Sequence, residues 1–315
     1  MLCIKNLNTW FYTKTGINKA INGIDLEITQ GENLGLVGES GSGKSVTALS
    51  ILRLVPAPGR IVKGEIEFFG KDLLKLPLKA IRHIRGREVS MIFQEPMTAL
   101  NPVFTVGKQV AEIYQYHFNY SKNEALEKAV HILQLVGIPS PETITSAYPH
   151  QLSGGMRQRA MIAMALSCKP KLLIADEPTT ALDVTVQAQI LRLMDELKHQ
   201  IGTSILFISH DLAVVAQIAQ KIAIMYAGKI VEMGDLKQIL ESPFHPYTQG
   251  LLAAIPKLGH IKRHLETIPG SIEKANSIGC AFASRCKKRL PICSKKAPSL
   301  KKIGTFHSVA CWQYE

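Results

Sequence analysis

A glycine-rich segment offers the clearest chemistry in the chain. Residues 38–45 read GESGSGKS, between an apolar run (LGLV) and a helix-like pattern. Glycines let backbone N–H groups approach phosphates, Lys44 can neutralise the β- and γ-phosphates, and the Ser45 hydroxyl can ligate Mg²⁺. We therefore predict a phosphate-binding loop rather than a glycine-rich structural turn. The predicted nucleotide contacts in this region are Gly38, Ser40, Gly41, Ser42, Gly43, Lys44, Ser45 and Val46.

Two acids follow a second apolar run. Residues 172–183 read LLIADEPTTALD. A buried strand ending in Asp176 can present this carboxylate to Mg²⁺ through water, while Glu177 points elsewhere and can polarise an attacking water. Paired acids at a strand end are often only a solvated turn. Beside a phosphate-binding loop they indicate hydrolysis, with Glu177 and Lys44 as catalytic residues.

A third segment has the chemistry of a second anion site. Residues 152–160 read LSGGMRQRA, which places Ser153, Gly154 and Gly155 at a predicted helix N-terminus. Free N–H groups and the helix dipole attract anions there. Taken alone, an ordinary glycine-rich helix start would explain it. One nucleotide needs only one cradle for its γ-phosphate, and the phosphate-binding loop already supplies it. We therefore expect this second anion site to bind a nucleotide held by a partner.

The elements that must position these residues alternate along the chain up to about residue 250. Short apolar runs predict strands near 33–37, 89–93, 171–175 and 204–209. Helical patterns begin at Gly43, after Ser153, and over about 123–136 and 184–199. KIAIMYAG and KIVEMG meet at Gly228 and predict a β-hairpin. This alternation is typical of a layered α/β domain with a largely parallel sheet.

The motifs together resemble one family. GESGSGKS, LSGGMRQRA, LLIADEPTTALD and ILFISHD occur in this order, as in the ATP-binding cassette (ABC) ATPases, over about residues 1–250. The resemblance implies an α/β P-loop NTPase fold of the ABC type, with an antiparallel β subdomain and a helical signature subdomain at about 95–165. It also implies a head-to-tail dimer, with ATP between one subunit's phosphate loop and the other's Ser153-Gly154-Gly155.

The resemblance implies roles for further residues. Gln94 matches the Q-loop, which touches Mg²⁺ together with Ser45 and relays the nucleotide state to a membrane partner. His210 matches the catalytic switch histidine at the γ-phosphate. An aromatic residue upstream should stack on adenine, and we favour Phe11 or Tyr12, with core packing as the alternative. Gln158 belongs to the signature segment that should contact the partner's ATP. Ala181-Leu182-Asp183 matches the D-loop, and Asp183 is its assigned site residue.

Longer segments narrow the resemblance. EPMTALNPVFTVGKQVAE, AYPHQLSGGMRQR and SPFHPYTQGLL are similar to the ATPases of bacterial oligopeptide/dipeptide importers. The implied function is ATP hydrolysis that powers import of peptides, with nickel complexes, opines or sugars as other cargoes. The implied partners are two transmembrane permeases, a paralogous ATPase or a second copy, and indirectly an extracytoplasmic binding protein, at the cytoplasmic face of the bacterial inner membrane.

The positive charge of the chain raises a second possible function, the binding of nucleic acid. The net charge is +12, and residues 257–315 alone carry 12 Lys and Arg against three acids. A soluble ABC ATPase acting on nucleic acid would suit this charge. However, Lys44 and Asp176 are 132 positions apart, too close for a long inserted coiled coil, and the chain has one cassette. We expect no nucleic-acid partner, no secretion signal at the N-terminus and no membrane span, since no 18-residue apolar run occurs.

Four of the six cysteines lie in the last 36 residues. In a cytosolic chain they should be thiols or metal ligands rather than disulfides. The spacing lacks the C-x2-C pairs usual in zinc sites, although zinc or free thiols remain alternatives. The tail (GC-x4-RC-x6-C) is similar to the importers' C-terminal extension, so we predict domains at 1–250 and 251–315. A 4Fe-4S cluster, its charge offset by Arg285 and nearby lysines, would also order a tail of low apolar content. The predicted ligands are Cys280, Cys286, Cys293 and Cys311.

Overall fold

The computed structural model describes residues 1–94, 99–180, 182–255, 268–271 and 278–315. Outside the described residues lie parts of three predictions: the start of the EPMTALN segment, Ala181 in the D-loop and much of the basic tail before residue 278. The chain forms two compact units, one of Met1–Lys75 with Phe207–Glu315 and one of Leu76–Leu206. The predicted limits at residues 95, 165 and 250 stay predictions.

The first unit begins with an antiparallel sheet. Its strands, in the order β2-β1-β4-β5, are β1 (Leu2–Thr13), β2 (Gly16–Ile28), β4 (Gly59–Phe68) and β5 (Lys71–Asp72). In β2 the buried residues Ile24, Leu26 and Ile28 alternate with exposed ones, so one face of the sheet is buried. The antiparallel β subdomain implied by the resemblance is therefore present.

A second set of strands in the first unit carries the phosphate loop. It consists of β3 (Asn33–Val37), β9 (Lys221–Tyr226), β10 (Lys229–Asp235), β11 (Lys301–Lys302) and β12 (His307–Val309). Every residue of β3 is buried, and β3 pairs in parallel with β9. The predicted hairpin is confirmed: β9 and β10 are antiparallel, and Ala227 and Gly228 both have positive φ, as a tight type I′ turn requires. The helices of this unit are α1 (Lys44–Ile51), α8 (Leu212–Val215), α9 (Leu236–Glu241) and α10 (Pro246–Ala253).

The second unit pairs two parallel strands, β6 (Val89–Ile92) and β7 (Leu172–Asp176), with a set of helices. These helices are α2 (Leu78–Ile84), α3 (Val106–Phe118), α4 (Lys122–Leu135), α5 (Pro141–Ile144), α6 (Gly154–Leu166) and α7 (Val184–Ile201). Capping explains their limits: Ser121 and Glu124 form a capping box at α4, and Gly202 with φ +74 ends α7. β8 (Ser204–Ser209) contains the point where the chain passes from this unit to the first.

The described part of the C-terminal tail is held by more than apolar contacts. The low apolar content of this segment suggested that an apolar core alone would not order it. In the described part, Phe282 and Val309 are buried, and β12 extends the sheet along β10. His307 Nε2 lies 2.7 Å from an oxygen of the fully buried Glu232, which also accepts the N–H groups of Phe244 and His245. The tail is thus anchored by strand pairing, an aromatic side chain and a buried hydrogen-bond network.

Candidate nucleotide site

The phosphate loop joins β3 to α1 and requires glycine at two positions. A Cβ on Gly38 would lie 2.1 Å from the carbonyl oxygen of Met225. Gly43 has φ +109, and a Cβ there would lie 2.4 Å from the carbonyl oxygen of Ala20. The loop therefore packs its main chain directly against neighbouring main chain, and only hydrogen fits between them.

Lys44 begins α1 and bends back into the loop. It is 4% exposed, and its Nζ donates to the carbonyl oxygens of Gly38 at 2.7 Å and Glu39 at 3.1 Å. Within the described residues, no side chain caps α1 and its first turn contains no acid. The positive end of the helix dipole and the ammonium group thus meet at one loop, which is the electrostatics of an anion site.

The other predicted loop residues differ in exposure. Ser40 and Gly41 are exposed, and Ser45 and Val46 are half-buried. The Ser42 hydroxyl is buried and, among the described atoms, has no hydrogen-bond partner. The loop therefore exposes main chain at Ser40 and Gly41, whereas the Ser42 hydroxyl is enclosed.

Two residues outside the motif also hold this loop, and sequence reasoning missed their role. The hydroxyl of Tyr247 accepts the Glu39 N–H at 2.9 Å, and burial raises the pKa of this hydroxyl, which keeps it neutral. Arg285 forms an ion pair with the Glu39 carboxylate at 2.8 Å. The only sequence signal was indirect, because both residues lie in segments that carried the importer resemblance.

The acid pair lies in the second unit. Asp176 ends β7 and is 4% exposed, while Glu177 follows with φ +46, a left-handed conformation that is strained for this residue. Gln94 Nε2 donates to Glu177 Oε2 at 3.1 Å, and the Thr180 hydroxyl donates to the same oxygen at 3.0 Å. Since β6 and β7 are parallel neighbours, their carboxyl ends bring the Q-loop glutamine to the candidate base.

The signature and D-loop segments meet within the same unit. Ser153 caps α6 by accepting the Met156 N–H at 3.3 Å, and both Ser153 and Gly154 are exposed. A Cβ on Gly154 would lie 3.9 Å from Leu182. Asp183 is exposed and caps α7. The exposed start of α6 therefore has the helix-terminal N–H groups that a phosphate on a partner would need.

Gln158 differs from the other signature residues in its surroundings. Its side chain is 1% exposed, and its Nε2 has no hydrogen-bond partner in the described part of the chain. Gln158 faces the interior of its unit, so its predicted contact with ATP in trans stays a prediction that would require the side chain to turn.

The two aromatic candidates differ in exposure. Phe11 is half-buried, and its ring lies against Gly59, where a Cβ would be 2.6 Å from it. Tyr12 is 43% exposed. The adenine contact stays a prediction for both residues. His210 follows β8 and is exposed, and the next residue, Asp211, caps α8.

The four C-terminal cysteines lie near one another. The Cys280 N–H donates to the Cys293 carbonyl at 2.8 Å. Burial, with smaller effects from the neighbouring thiols, raises the pKa of Cys280 to about 11 and also raises the pKa of Cys286 and Cys311. Among the described residues, no three His, Cys, Asp or Glu side chains form a group that could hold a metal ion. As placed, the cysteines are close but are not arranged as ligands.

Comparisons with known proteins agree with this geometry. The family model described as ABC transporter matches residues 21–180. The chain is 49% identical over 318 residues to the oligopeptide transport ATP-binding protein AppD of Bacillus subtilis, covering 100% of this chain and 97% of that protein. The chain belongs to the ABC transporter ATPases.

Further comparisons extend this assignment. This ABC ATPase is 47% identical over 315 residues to the dipeptide transport ATP-binding protein DppD of Bacillus subtilis, with 99% and 94% of the two chains covered. A second model, described as oligopeptide/dipeptide transporter, C-terminal region, matches residues 231–293. The structure is similar to the dimeric ATP-binding cassette MJ0796 bound to ADP and Pi, with a TM-score of 0.68 at 26% identity over 75% of this chain and 99% of that one.

The fold and activity predicted from the motifs are thereby confirmed. As an ABC ATPase, the chain hydrolyses ATP in a reaction coupled to transport. In the described ranges of the ABC ATPase, no helix combines the length and apolarity needed to cross a bilayer. Membrane permeases are implied as partners by the family. The roles of individual site residues stay predictions.

Proposed function

We propose that this chain is the ATP-hydrolysing subunit that powers import of oligopeptides or dipeptides through partner permeases. The observation that carries the proposal is that one chain combines an intact phosphate loop with the C-terminal region of oligopeptide/dipeptide transporters. Relatives named as peptide transport ATP-binding proteins support the cargo, because they match nearly the whole chain.

In this proposal each residue of the site has a separate role in ATP hydrolysis. When a nucleotide binds, Lys44 exchanges its backbone carbonyl partners for the β- and γ-phosphates. Its hydrogen bonds to phosphate oxygens are stronger than those to carbonyl oxygens because phosphates are charged acceptors. Ser45, Gln94 and Asp176 would hold Mg²⁺, which neutralises phosphate charge when bound. Glu177 acts as the general base on the attacking water, and the Gln94 amide holds its carboxylate until a nucleotide draws Gln94 away.

The site is completed in trans in this proposal. Ser153, Gly154 and Gly155 of one subunit contact the γ-phosphate bound by the phosphate loop of the other, and His210 lies beside it. The partner is a paralogous ATPase or a second copy of this chain. ATP closes the dimer, hydrolysis reopens it, and permeases docked on the cytoplasmic face of the membrane change their access accordingly.

We also propose a 4Fe-4S cluster on the C-terminal cysteine extension, bound by Cys280, Cys286, Cys293 and Cys311. Four neighbouring thiols support it. Because the pKa values of Cys280, Cys286 and Cys311 are raised and the described residues form no ready ligand group, these side chains must deprotonate and rearrange. The cluster is structural in this proposal, and no step of hydrolysis depends on it. Anaerobically purified protein should be brown and contain iron, and Cys286→Ser should abolish both properties. Stoichiometric zinc without iron would refute the cluster.

The transport proposal is tested with the complete complex in liposomes. The ATPase rate is measured with the binding protein loaded with dipeptides, longer peptides, a nickel chelate, an opine, a sugar or nothing. Stimulation by one peptide class is the expected result. Stimulation only by the nickel chelate, or by an opine or sugar, would refute peptide cargo. Glu177→Gln must abolish the stimulated rate, whereas the exposed Glu196→Gln on α7 serves as the matched control.

A further inference from the structure

An arginine from the far end of the chain holds the side chain of Glu39 in the phosphate loop. Arg285 Nη1 donates to Glu39 Oε2 at 2.8 Å, and Nη2 donates to Oε1 at 3.1 Å. The same guanidinium donates to the Tyr226 hydroxyl at 3.3 Å, and the Arg285 side chain is 5% exposed. Two parallel hydrogen bonds from a buried guanidinium fix both the distance and the orientation of a carboxylate.

The main chain of Glu39 is held as well. Its N–H donates to the Tyr247 hydroxyl at 2.9 Å. Its carbonyl oxygen accepts the Ser42 N–H at 3.1 Å and the Lys44 ammonium at 3.1 Å. Glu39 therefore holds the turn at Ser42 and, together with Gly38, the resting place of Lys44.

A cysteine-bearing turn delivers Arg285 to this position. The turn, residues 280–286, is closed by the Ala283 N–H donating to the Cys280 carbonyl at 3.0 Å and the Arg285 N–H donating to the Phe282 carbonyl at 3.1 Å. Phe282 is 3% exposed, with the rings of Tyr226 and Tyr247 at 5.2 Å and 5.4 Å. The buried ring anchors the turn, and Arg285 then reaches the loop.

The charge of Glu39 makes this contact matter for nucleotide binding. A carboxylate in a phosphate-binding loop repels a triphosphate, and the repulsion is strongest where little water screens it. Arg285 neutralises this carboxylate and fixes its orientation through two hydrogen bonds. Without Arg285, the loop would retain an unpaired negative charge where anionic phosphates must bind.

We propose that Arg285 is a positioning residue of the nucleotide site, through which the cysteine-bearing turn sets the affinity for ATP. Arg285 acts on the phosphate loop through Glu39 and does not itself touch the nucleotide. The inference rests on the proposed ATPase function and adds a long-range control of the same site.

The first test compares full-length variants by steady-state ATP hydrolysis and by equilibrium binding of MgADP at low salt. Arg285→Ala should raise KM for ATP and Kd for MgADP about tenfold, a typical coupling between sites, with kcat changed less than about twofold. Arg289→Ala removes the same charge from an exposed position nearby and should leave both values unchanged. Equal affinities of Arg285→Ala and wild type would overturn the proposal.

The second test separates charge neutralisation from mere structural support. Adding Glu39→Gln to Arg285→Ala removes the unpaired carboxylate, so the affinity should return to within about threefold of wild type because close pairs are strongly non-additive. If the arginine only braced the fold, the double variant would bind as weakly as Arg285→Ala. That outcome would overturn the proposal.

The third test addresses the cysteine-bearing turn. Phe282→Ala removes the ring that anchors the turn, so it should weaken MgADP binding when Glu39 is present but not in the Glu39→Gln background; Phe306→Ala, which removes an exposed ring, is the control. Unchanged binding by Phe282→Ala would overturn the link from the turn to the loop. If the wild-type protein neither binds nor hydrolyses ATP, the proposed function itself fails. If it does both and the variants match it, only this inference fails.

Discussion

Phe282→Ala tests how firmly the cysteine-bearing turn is anchored. The ring is 3% exposed and lies among three neighbouring rings, with centroids at 5.2 Å from Tyr226, 5.4 Å from Tyr247 and 5.8 Å from His245. Removing a buried phenylalanine costs about 3–5 kcal/mol, part of it from lost edge contacts between aromatic rings. Phe282→Leu retains most of the apolar volume and should cost less than about 1.5 kcal/mol.

The assay is amide hydrogen exchange followed by mass spectrometry on peptides that cover residues 278–293. The protected reporter is the Cys280 N–H, which donates to the Cys293 carbonyl at 2.8 Å. If the lost stabilisation lowers the free energy of local opening of this turn, the exchange protection of this N–H should drop in Phe282→Ala. The expected drop is about two to four orders of magnitude, since each 1.4 kcal/mol is a factor of ten. Protection that is equal in Phe282→Ala and wild type, or equally low in both variants, would refute the anchoring role.

Three further predictions concern catalysis, loop shape and pH. Glu177→Gln should bind ATP but hydrolyse it at least about 100-fold more slowly, because the general base is lost; a wild-type rate of phosphate release would show that the base is elsewhere. Gly38→Ala places a Cβ 2.1 Å from a main-chain oxygen and should abolish ATP binding in a fluorescent nucleotide assay. Gly41→Ala strains a backbone with φ +80 but meets nothing within 4 Å, so it should retain more of the binding. Burial lowers the pKa of His245 to about 3 in the folded protein, whereas in the unfolded chain this histidine has an ordinary pKa. Between these two pKa values the unfolded chain therefore binds one more proton than the folded protein does. The free energy of unfolding should therefore fall as pH decreases from about 6.5 toward 3, by up to about 1.4 kcal/mol per pH unit from this group. His245→Asn, which keeps a helix-capping acceptor but does not titrate, should have a shallower pH dependence in denaturant unfolding.

Residues close together in the sequence made much of the site predictable. In the phosphate loop, the strand, glycines, lysine and helix start are contiguous, and predicted strands at 33–37 and 204–209 coincide with β3 and β8. The limits of other elements differ from the predicted ones by a few residues, because capping interactions fix where each helix begins and ends. α4 begins at Lys122 because Ser121 and Glu124 form its capping box.

Contacts between distant segments could be expected only in part. Gln94 and Glu177 were assigned to separate motifs, and their hydrogen bond spans 83 positions. It exists because β6 and β7 are parallel neighbours, which no local pattern of either strand specifies. The contacts that hold the described part of the tail are likewise not specified by any local pattern. Phe282 and His307 are isolated in the sequence, and their anchoring partners lie on β9, β10 and α10.

The sequence by itself determined the chemistry: a phosphate loop, a pair of acids, a helix-terminal anion site and four late cysteines. These depend on residue type at short spacing, where chain connectivity alone brings the groups together. Only the tertiary structure decided that Arg285 pairs with Glu39 across 246 positions. Closing so long a loop costs entropy, which burial of groups such as Phe282 helps to offset, and no pattern within either segment specifies the pairing.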